Sequence, residues 1–127
     1  MILADTDVLI DFLAGAQPIA DQVMTHVKSD ALQTSAISCF ELLSGARDGK
    51  RGDDVRRVVA AIPVLPLDRE AATKAAAIRR DLVRRGVYIG MADSLIAGTA
   101  LTNGLPLLTR NRKHFERVEG LHLLSAG

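Results

Sequence analysis

The chain has 127 residues, of which 48% are hydrophobic and only 3% aromatic, and its formal net charge is +1. We expect a single domain over residues 1–127, with a core built from Ala, Val, Leu and Ile. The nearly neutral charge excludes a bulk basic field for nucleic acid, and the single cysteine excludes an internal disulfide framework.

The N-terminus predicts neither a signal peptide nor a membrane span. No positive flank precedes the first apolar residues, and Asp5 follows them at once. The apolar runs are far shorter than the ~20 residues that cross a bilayer. A soluble, cytoplasmic protein without membrane contact is therefore expected, and a lone Cys39 fits that reducing compartment.

Short apolar strands alternate with amphipathic helices along the first half of the chain. The predicted elements are a strand over residues 2–4, a helix over 8–13 ending at Gly15, a helix beginning at Pro18 with Ile19, Val23 and Val27 on one core-facing side, a strand over 32–34, and a helix carrying Ile37, Phe40 and Leu43 that ends at Gly45. The charged, glycine-rich segment 48–54 is predicted to be an exposed loop.

The second half continues the same alternation. It is predicted to contain a helical segment over residues 55–62, an extended edge segment over 62–67, a helix capped by Asp68 that buries Ala71, Ala75, Ile78 and Leu82, a helix over 91–103, and two strands over 105–109 and 121–124 separated by a basic turn and a short helix. Such alternation predicts an α/β fold with a parallel sheet covered by helices on both faces.

Ligands of such sheets sit at the carboxyl ends of the strands. Asp5 ends the first strand and Thr109 ends the fourth, so both fall where a site is expected. A carboxylate at the end of a buried strand costs several kcal/mol unless it is paired. A metal ion is the leading candidate partner for Asp5.

Each further acid also has a purely structural interpretation. Asp7 opens a helix and is predicted to act mainly as its N-cap. Glu41 follows Ser38 by three residues, which is a capping-box pattern. Asp93 lies in the first turn of a helix, where the helix dipole favours an acid, and Asp11 is predicted to lie on a solvated face.

Taken together, the acids favour a shared site. Glu41 is flanked by Phe40, Leu42 and Leu43, an apolar setting that a lone carboxylate avoids, and Asp93 also precedes a largely apolar run. Carboxylates at one strand end and two helix starts form an oxygen-only site, which selects Mg²⁺ or Mn²⁺. The three histidines do not have the spacing of zinc ligands.

Four segments of the chain, in order, resemble the motifs of PIN domains. They are Leu-Ala-Asp-Thr-Asp-Val-Leu-Ile-Asp at 3–11, Thr-Ser-Ala-Ile-Ser-Cys-Phe-Glu-Leu-Leu-Ser-Gly-Ala at 34–46, Gly-Met-Ala-Asp-Ser-Leu-Ile-Ala at 90–97, and Leu-Thr-Arg-Asn-Arg-Lys-His-Phe at 108–115. Their order, spacing and the total length resemble a VapC-type toxin of a bacterial toxin–antitoxin pair.

The resemblance implies a five-stranded parallel sheet in the order 3-2-1-4-5 and a Mg²⁺-dependent endoribonuclease, commonly dimeric and held inactive by a cognate VapB-type antitoxin. By matching position, Asp5, Glu41 and Asp93 would be catalytic residues and metal ligands. Thr109 would hydrogen-bond Asp5 and orient it.

Two positions depart from the family pattern. Asp7 stands where Asn or Ser is more usual and either adds charge to the site or only caps. His114 stands where the fourth motif often has an acid, so it is expected to contact phosphate, while Asn111 holds a metal-bound water and the number of ions stays open. Arg110, Arg112 and Lys113 are predicted to bind RNA.

Few aromatic residues predict little base stacking, so RNA recognition is expected to favour shape and backbone contacts. A second basic group, Arg47, Lys50 and Arg51, is expected near the same cleft. Two alternatives stay open: a PIN-like module that binds RNA or a partner without cutting, and a haloacid-dehalogenase-like phosphohydrolase with Asp5 as nucleophile.

Overall fold

The computed structural model describes residues 1–127 as five strands and seven helices. In chain order these are β1 (Ile2–Ala4), α1 (Thr6–Leu13), α2 (Ile19–Lys28), β2 (Leu32–Ser35), α3 (Ala36–Gly45), α4 (Lys50–Ala61), β3 (Val64–Leu65), α5 (Arg69–Arg84), α6 (Met91–Thr102), β4 (Leu107–Thr109), α7 (Arg112–Phe115) and β5 (Leu123–Ser125). No helix is long and apolar enough to cross a membrane.

The strands form one parallel sheet in the order β3-β2-β1-β4-β5, which confirms the predicted topology. The central strand β1 pairs with β2 on one side and with β4 on the other, with Ala4 opposite Leu108. The chain therefore places Asp5, just after β1, beside Thr109 at the end of β4. The extended segment around β3 lies at the sheet edge, as its two prolines predicted.

Two apolar cores cover the two faces of the sheet, because neighbouring residues of a strand point to opposite sides. Leu3 and Leu107 face a core completed by α5, α6 and Phe115. Ala4 and Leu108 face the other core, which α1, α2 and Ile62 complete. The side-chain stripes predicted for α2 and α5 lie in these cores.

The prediction of an exposed loop over residues 48–54 is wrong beyond Gly49, because α4 begins at Lys50. The charges there pair along the helix, with Lys50 Nζ 3.3 Å from an Asp54 carboxylate oxygen. Gly52 is buried against the Arg47 carbonyl oxygen, which a β-carbon at this position would overlap. Glycine here serves a close backbone approach, whereas the sequence pattern indicated a turn.

The closest helix packing joins α5 and α6 at Gly98. A β-carbon on Gly98 would lie 2.7 Å from the Ala71 carbonyl oxygen and 2.8 Å from the Ala75 side chain. Small residues on both helices thus let the two backbones meet. This contact holds α6, whose first turn carries Asp93, against the rest of the fold.

Candidate active site

Asp5 is the buried centre of the site. Its side chain caps the N-terminus of α1 by accepting a hydrogen bond from the Thr6 N–H at 2.8 Å. Its other oxygen accepts a 2.8 Å bond from the Thr109 hydroxyl, the contact expected from the sequence. Asp5 is only 5% exposed.

The surroundings of Asp5 disfavour its charged form. Burial, and after it the negative charge of Asp7, raises the pKa of Asp5 to about 7, and Asp93 adds to the rise. The hydrogen bonds from Thr109 and Thr6 act in the opposite direction. A positive partner beside Asp5 would offset this penalty.

Asp7 does not cap α1, because the helix already begins at Thr6 and Asp5 is its N-cap. One oxygen of Asp7 accepts a 3.2 Å bond from the Arg110 backbone N–H, and the other, Oδ1, is buried without any partner. Burial raises the pKa of Asp7 as well, against the lowering effect of the Arg110 bond. Such an orphaned carboxylate oxygen beside a buried carboxyl group fits the surroundings of a cation.

Glu41 joins the site through Thr6. The Thr6 hydroxyl donates to Glu41 Oε1 at 2.7 Å and lies 2.8 Å from the Ser38 hydroxyl. The capping-box prediction for Glu41 is wrong, because Ser35 is the N-cap of α3 and accepts from the Ser38 N–H. Neither Thr6 nor Ser38 was identified from the sequence as a member of the site, although both lie inside the motifs that carry the acids.

The apolar setting predicted for Glu41 is also wrong. Phe40 is 71% exposed and Leu43 is 42% exposed, so only Leu42 points into the core. Consecutive residues of a helix point in different directions, so an apolar neighbour in sequence does not bury a side chain. Glu41 itself lies at the exposed side of the site.

Asp93 lies in the first turn of α6 and contacts His114. Its Oδ2 is 2.8 Å from His114 Nδ1, and the Asn111 side-chain nitrogen is 2.8 Å from the same Nδ1. Since an ionised carboxylate can only accept, Nδ1 carries the proton when it binds Asp93, and it then cannot also accept a hydrogen bond from the Asn111 amide. The Asn111 backbone N–H donates to the Thr109 hydroxyl at 2.9 Å, which links the Asp93 side of the site to Asp5.

The predicted basic rim divides into residues with different partners. Arg110 Nε is 2.8 Å from Asp11 Oδ2, so the predicted solvated face at Asp11 is wrong. Arg112 reaches the Ser125 hydroxyl at 3.3 Å, and Lys113 is exposed. The second basic group, Arg47, Lys50 and Arg51, lines a groove of about 840 Å³ between α1, α3 and α4, and Glu41 lies on that groove.

The donor atoms suit a hard divalent cation in chemistry, since they are carboxylate and hydroxyl oxygens at a centre of excess negative charge. In this conformation no three Asp, Glu, His or Cys side chains lie close enough to share one ion. Asp93 is held by His114 and Glu41 by Thr6. A shared ion would require these two side chains to leave their present partners.

Comparison with known proteins shows the family of the chain. Residues 2–121 match the PIN domain family. Ribonuclease VapC10 of Mycobacterium tuberculosis is 37% identical over 121 residues, which are 95% of this chain and 90% of that protein. The tRNA(fMet)-specific endonuclease VapC of Shigella flexneri is 32% identical over 123 residues, covering 94% of this chain and 92% of that protein.

Solved structures share the fold. The DNA-bound VapBC of Salmonella typhimurium matches with a TM-score of 0.83 at 26% identity over 100% of both chains. The VapBC2 of Rickettsia felis, bound to a DNA fragment from its promoter, matches with a TM-score of 0.85 at 21% identity over 98% of both chains. The chain therefore belongs to the PIN-domain family and, within it, to the VapC proteins.

Proposed function

We propose that this protein is a metal-dependent endoribonuclease and the toxin of a type II toxin–antitoxin pair, acting in the cytoplasm. Ribonucleases of the PIN family are metal-dependent as a class, and Mg²⁺, replaceable by Mn²⁺, is the ion that an oxygen-only site favours. The observation that carries the proposal is the pair of acids Asp5, which is buried and has a raised pKa, and Asp7, which has one buried oxygen without a partner.

Each acidic residue of the site has its own role in this proposal. Asp5 and Asp93 hold the ion, and Glu41 is either a third ligand or the group that positions water at the exposed side. A bound divalent ion would neutralise phosphate charge and lower the pKa of a water molecule for attack on the phosphodiester. The unpartnered Oδ1 supports a place for Asp7 in the same charged centre.

Neighbouring polar groups fix these acids in place. The Thr109 hydroxyl donates to Asp5 and orients it. The Asn111 backbone N–H donates to the oxygen of that hydroxyl and fixes its position. In this proposal His114 orients Asp93 through the contact between its Nδ1 and the Asp93 carboxylate. The contact of His114 with phosphate stays a prediction. Arg112 and Lys113 stay predicted RNA contacts, whereas Arg110 is occupied by Asp11 and acts mainly through its backbone N–H on Asp7.

The protein partners in this proposal are inferred from those of related proteins. Related solved structures include VapBC complexes, among them that of Salmonella typhimurium at 26% identity. We therefore propose an antitoxin of the VapB type as the inhibitor of this protein, together with a homodimeric toxin. Membership of the PIN family removes the support for the phosphohydrolase alternative. The following experiment distinguishes the ribonuclease from a module that binds RNA without cleaving it.

The test is cleavage of structured RNA by purified protein. We expect cleavage with Mg²⁺ or Mn²⁺, no cleavage with EDTA, and restoration when the metal is added back. Asp93→Asn should lower the rate at least ~100-fold, because changes merely next to metal ligands already cost 10–100-fold. Asp21→Asn is the matched control, since Asp21 also lies in the first turn of a helix but is exposed and remote from the site.

Three results would contradict the proposal. Cleavage that persists in EDTA would place the activity outside a metal site. Equal rates for the wild type and Asp93→Asn would mean that another site or a contaminant cuts. Binding of RNA without cleavage in any divalent metal would favour the binding module.

A separate prediction concerns Thr109. Thr109→Val removes the hydroxyl that donates to Asp5 and keeps the shape and burial of the side chain. We expect Mn²⁺ affinity, measured by calorimetry, to fall roughly 10- to 100-fold, as is usual for groups that orient a metal ligand. Thr109→Ser keeps the hydroxyl and should stay close to the wild type. Equal affinity of Thr109→Val would contradict the orienting role.

A further inference from the structure

The single tyrosine of this chain lies exposed just before α6, the helix that carries Asp93 of the proposed active site. The chain has one Tyr, three Phe and no Trp. Phe115 is fully buried in the core, whereas Tyr88 is 73% exposed. Tyr88 lies in the short connection between α5 and α6. The low aromatic content predicted little stacking, but this ring is placed where a ligand can reach it.

The ring of Tyr88 is held by an arginine. The guanidinium carbon of Arg79 lies over the ring, 5.4 Å from its centre. A cation over one face of an aromatic ring is attracted to it and fixes its orientation. The large exposure of Tyr88 leaves most of the ring open to solvent. An exposed ring supported by a cation is a platform for a nucleobase.

The position of Tyr88 relates it to the acids. Gly90, two residues later, is the N-cap of α6, and Asp93 lies in the first turn of that helix. Tyr88 and Ser94, the residue that follows Asp93, line the same small surface pocket. A nucleotide stacked on Tyr88 would therefore lie near the first turn of α6, which carries Asp93.

The charges around Tyr88 suit a nucleic-acid strand. Arg79, Arg80 and Arg84 are exposed on α5, and none of them lies within ion-pair distance of an acid. Arg80 and Arg84 are four residues apart and so share one face of the helix. The nearby Asp81 is paired with Arg85. Arg79 is thus free of acids and lies over the ring, which suits a nucleobase next to a phosphate backbone, while Arg80 and Arg84 lie on another face of α5.

We propose that Tyr88, supported by Arg79, stacks against an unpaired base of the RNA next to the cleaved bond. This inference rests on the proposed ribonuclease function and deepens it, because it names a residue of this chain that recognises a base beside the cleaved bond. A paired base has no free face there, so a continuous duplex does not engage Tyr88.

The composition of the chain provides a specific readout. Because there is one Tyr and no Trp, intrinsic tyrosine fluorescence reports Tyr88 alone. Titration of wild-type protein in EDTA with an unpaired RNA oligonucleotide should quench this emission, and a duplex of the same length should leave it unchanged. Tyr88→Ala should weaken binding of the unpaired oligonucleotide roughly 10-fold, while Tyr88→Phe, which keeps the ring, stays within a few-fold of the wild type.

Cleavage kinetics separate this inference from the proposed function. With Mg²⁺, Tyr88→Ala should raise KM roughly 10-fold and leave kcat nearly unchanged. If the wild type cleaves and Tyr88→Ala has the same KM and binding, the stacking inference fails alone. RNA binding without quenching overturns it too, as does a change in the solution mass of Tyr88→Ala, which would make this surface an interface between copies. If the wild type does not cleave, the proposed function fails.

Discussion

Replacing Asp5 by Asn should make the metal-free protein more stable at neutral pH while abolishing RNA cleavage. Asp5 is buried, Asp7 and Asp93 add negative charge around it, and its pKa is raised to about 7. The folded protein must therefore ionise a carboxyl group that its surroundings disfavour. Asn removes the charge and keeps the size of the side chain. The free-energy cost of the buried charge therefore disappears, and so does the proposed metal ligand.

The pH dependence follows from the direction of this shift. Between the ordinary pKa of 3.8 and about 7, the folded state keeps a proton on Asp5 that the unfolded chain has released. The free energy of unfolding of the wild type is thus expected to fall as pH rises through this window and to level off above it. The full shift corresponds to about 4 kcal/mol at 1.36 kcal/mol per pKa unit. Because Asn replaces the hydrogen bonds imperfectly, we expect a net gain on the order of 2 kcal/mol.

Urea denaturation in EDTA at pH 4 and pH 8 measures this effect. The difference in unfolding free energy between Asp5→Asn and the wild type should be small or negative at pH 4 and positive at pH 8. Added Mg²⁺ should stabilise the wild type more than the variant, because binding to the folded state alone raises stability. Asp21→Asn, at an exposed position, should show neither effect. A variant less stable than the wild type at pH 8 would contradict the account of Asp5.

Replacing Gly98 by Ala should destabilise the fold by about 1–3 kcal/mol, which is typical of overpacking. The new methyl group would lie less than 3 Å from the Ala71 carbonyl and from Ala75, so α5 and α6 would have to move apart. Because α6 also carries Asp93, cleavage should fall together with stability. Thermal unfolding and an RNA cleavage assay measure the two effects.

Gly45→Ala is the matched control for Gly98. Gly45 also lies in a helix, but no atom lies within 4 Å of the place where its β-carbon would stand. The substitution should be neutral or stabilising by a few tenths of a kcal/mol. If Gly98→Ala were as harmless as Gly45→Ala, the close approach of α5 and α6 would not limit the packing.

The fold was largely predictable because its signals are local and periodic. The stripe Ala71, Ala75, Ile78 and Leu82 predicts a helix with one buried face, and this face is buried. The start of α4 over residues 50–54 was missed because the glycines and charges of this segment are typical of a turn. Only the neighbouring Arg47 carbonyl explains why Gly52 is needed inside a helix.

The contact between Asp5 and Thr109 was predictable from the sequence, but the surroundings of the other candidate acids were not. Asp5 and Thr109 follow from strand ends, and their hydrogen bond follows from parallel pairing of β1 and β4. Capping was assigned to the wrong acid at Asp7, because the helix starts two residues earlier than predicted, which makes Asp5 the N-cap and places Asp7 inside the helix. The burial of Glu41 was misjudged because neighbours in sequence are not neighbours in space.

The sequence by itself determined the alternation of strands and helices, the two-sided burial of the sheet, and which acids stand at the ends of elements. Those properties depend on spacing along the chain, which the order of residues defines. Only the tertiary structure decided that Thr6 links Asp5 to Glu41, that His114 contacts Asp93, and that Asp7 keeps an oxygen without a partner. These contacts join residues from separate elements, so their distances exist only after the sheet has assembled.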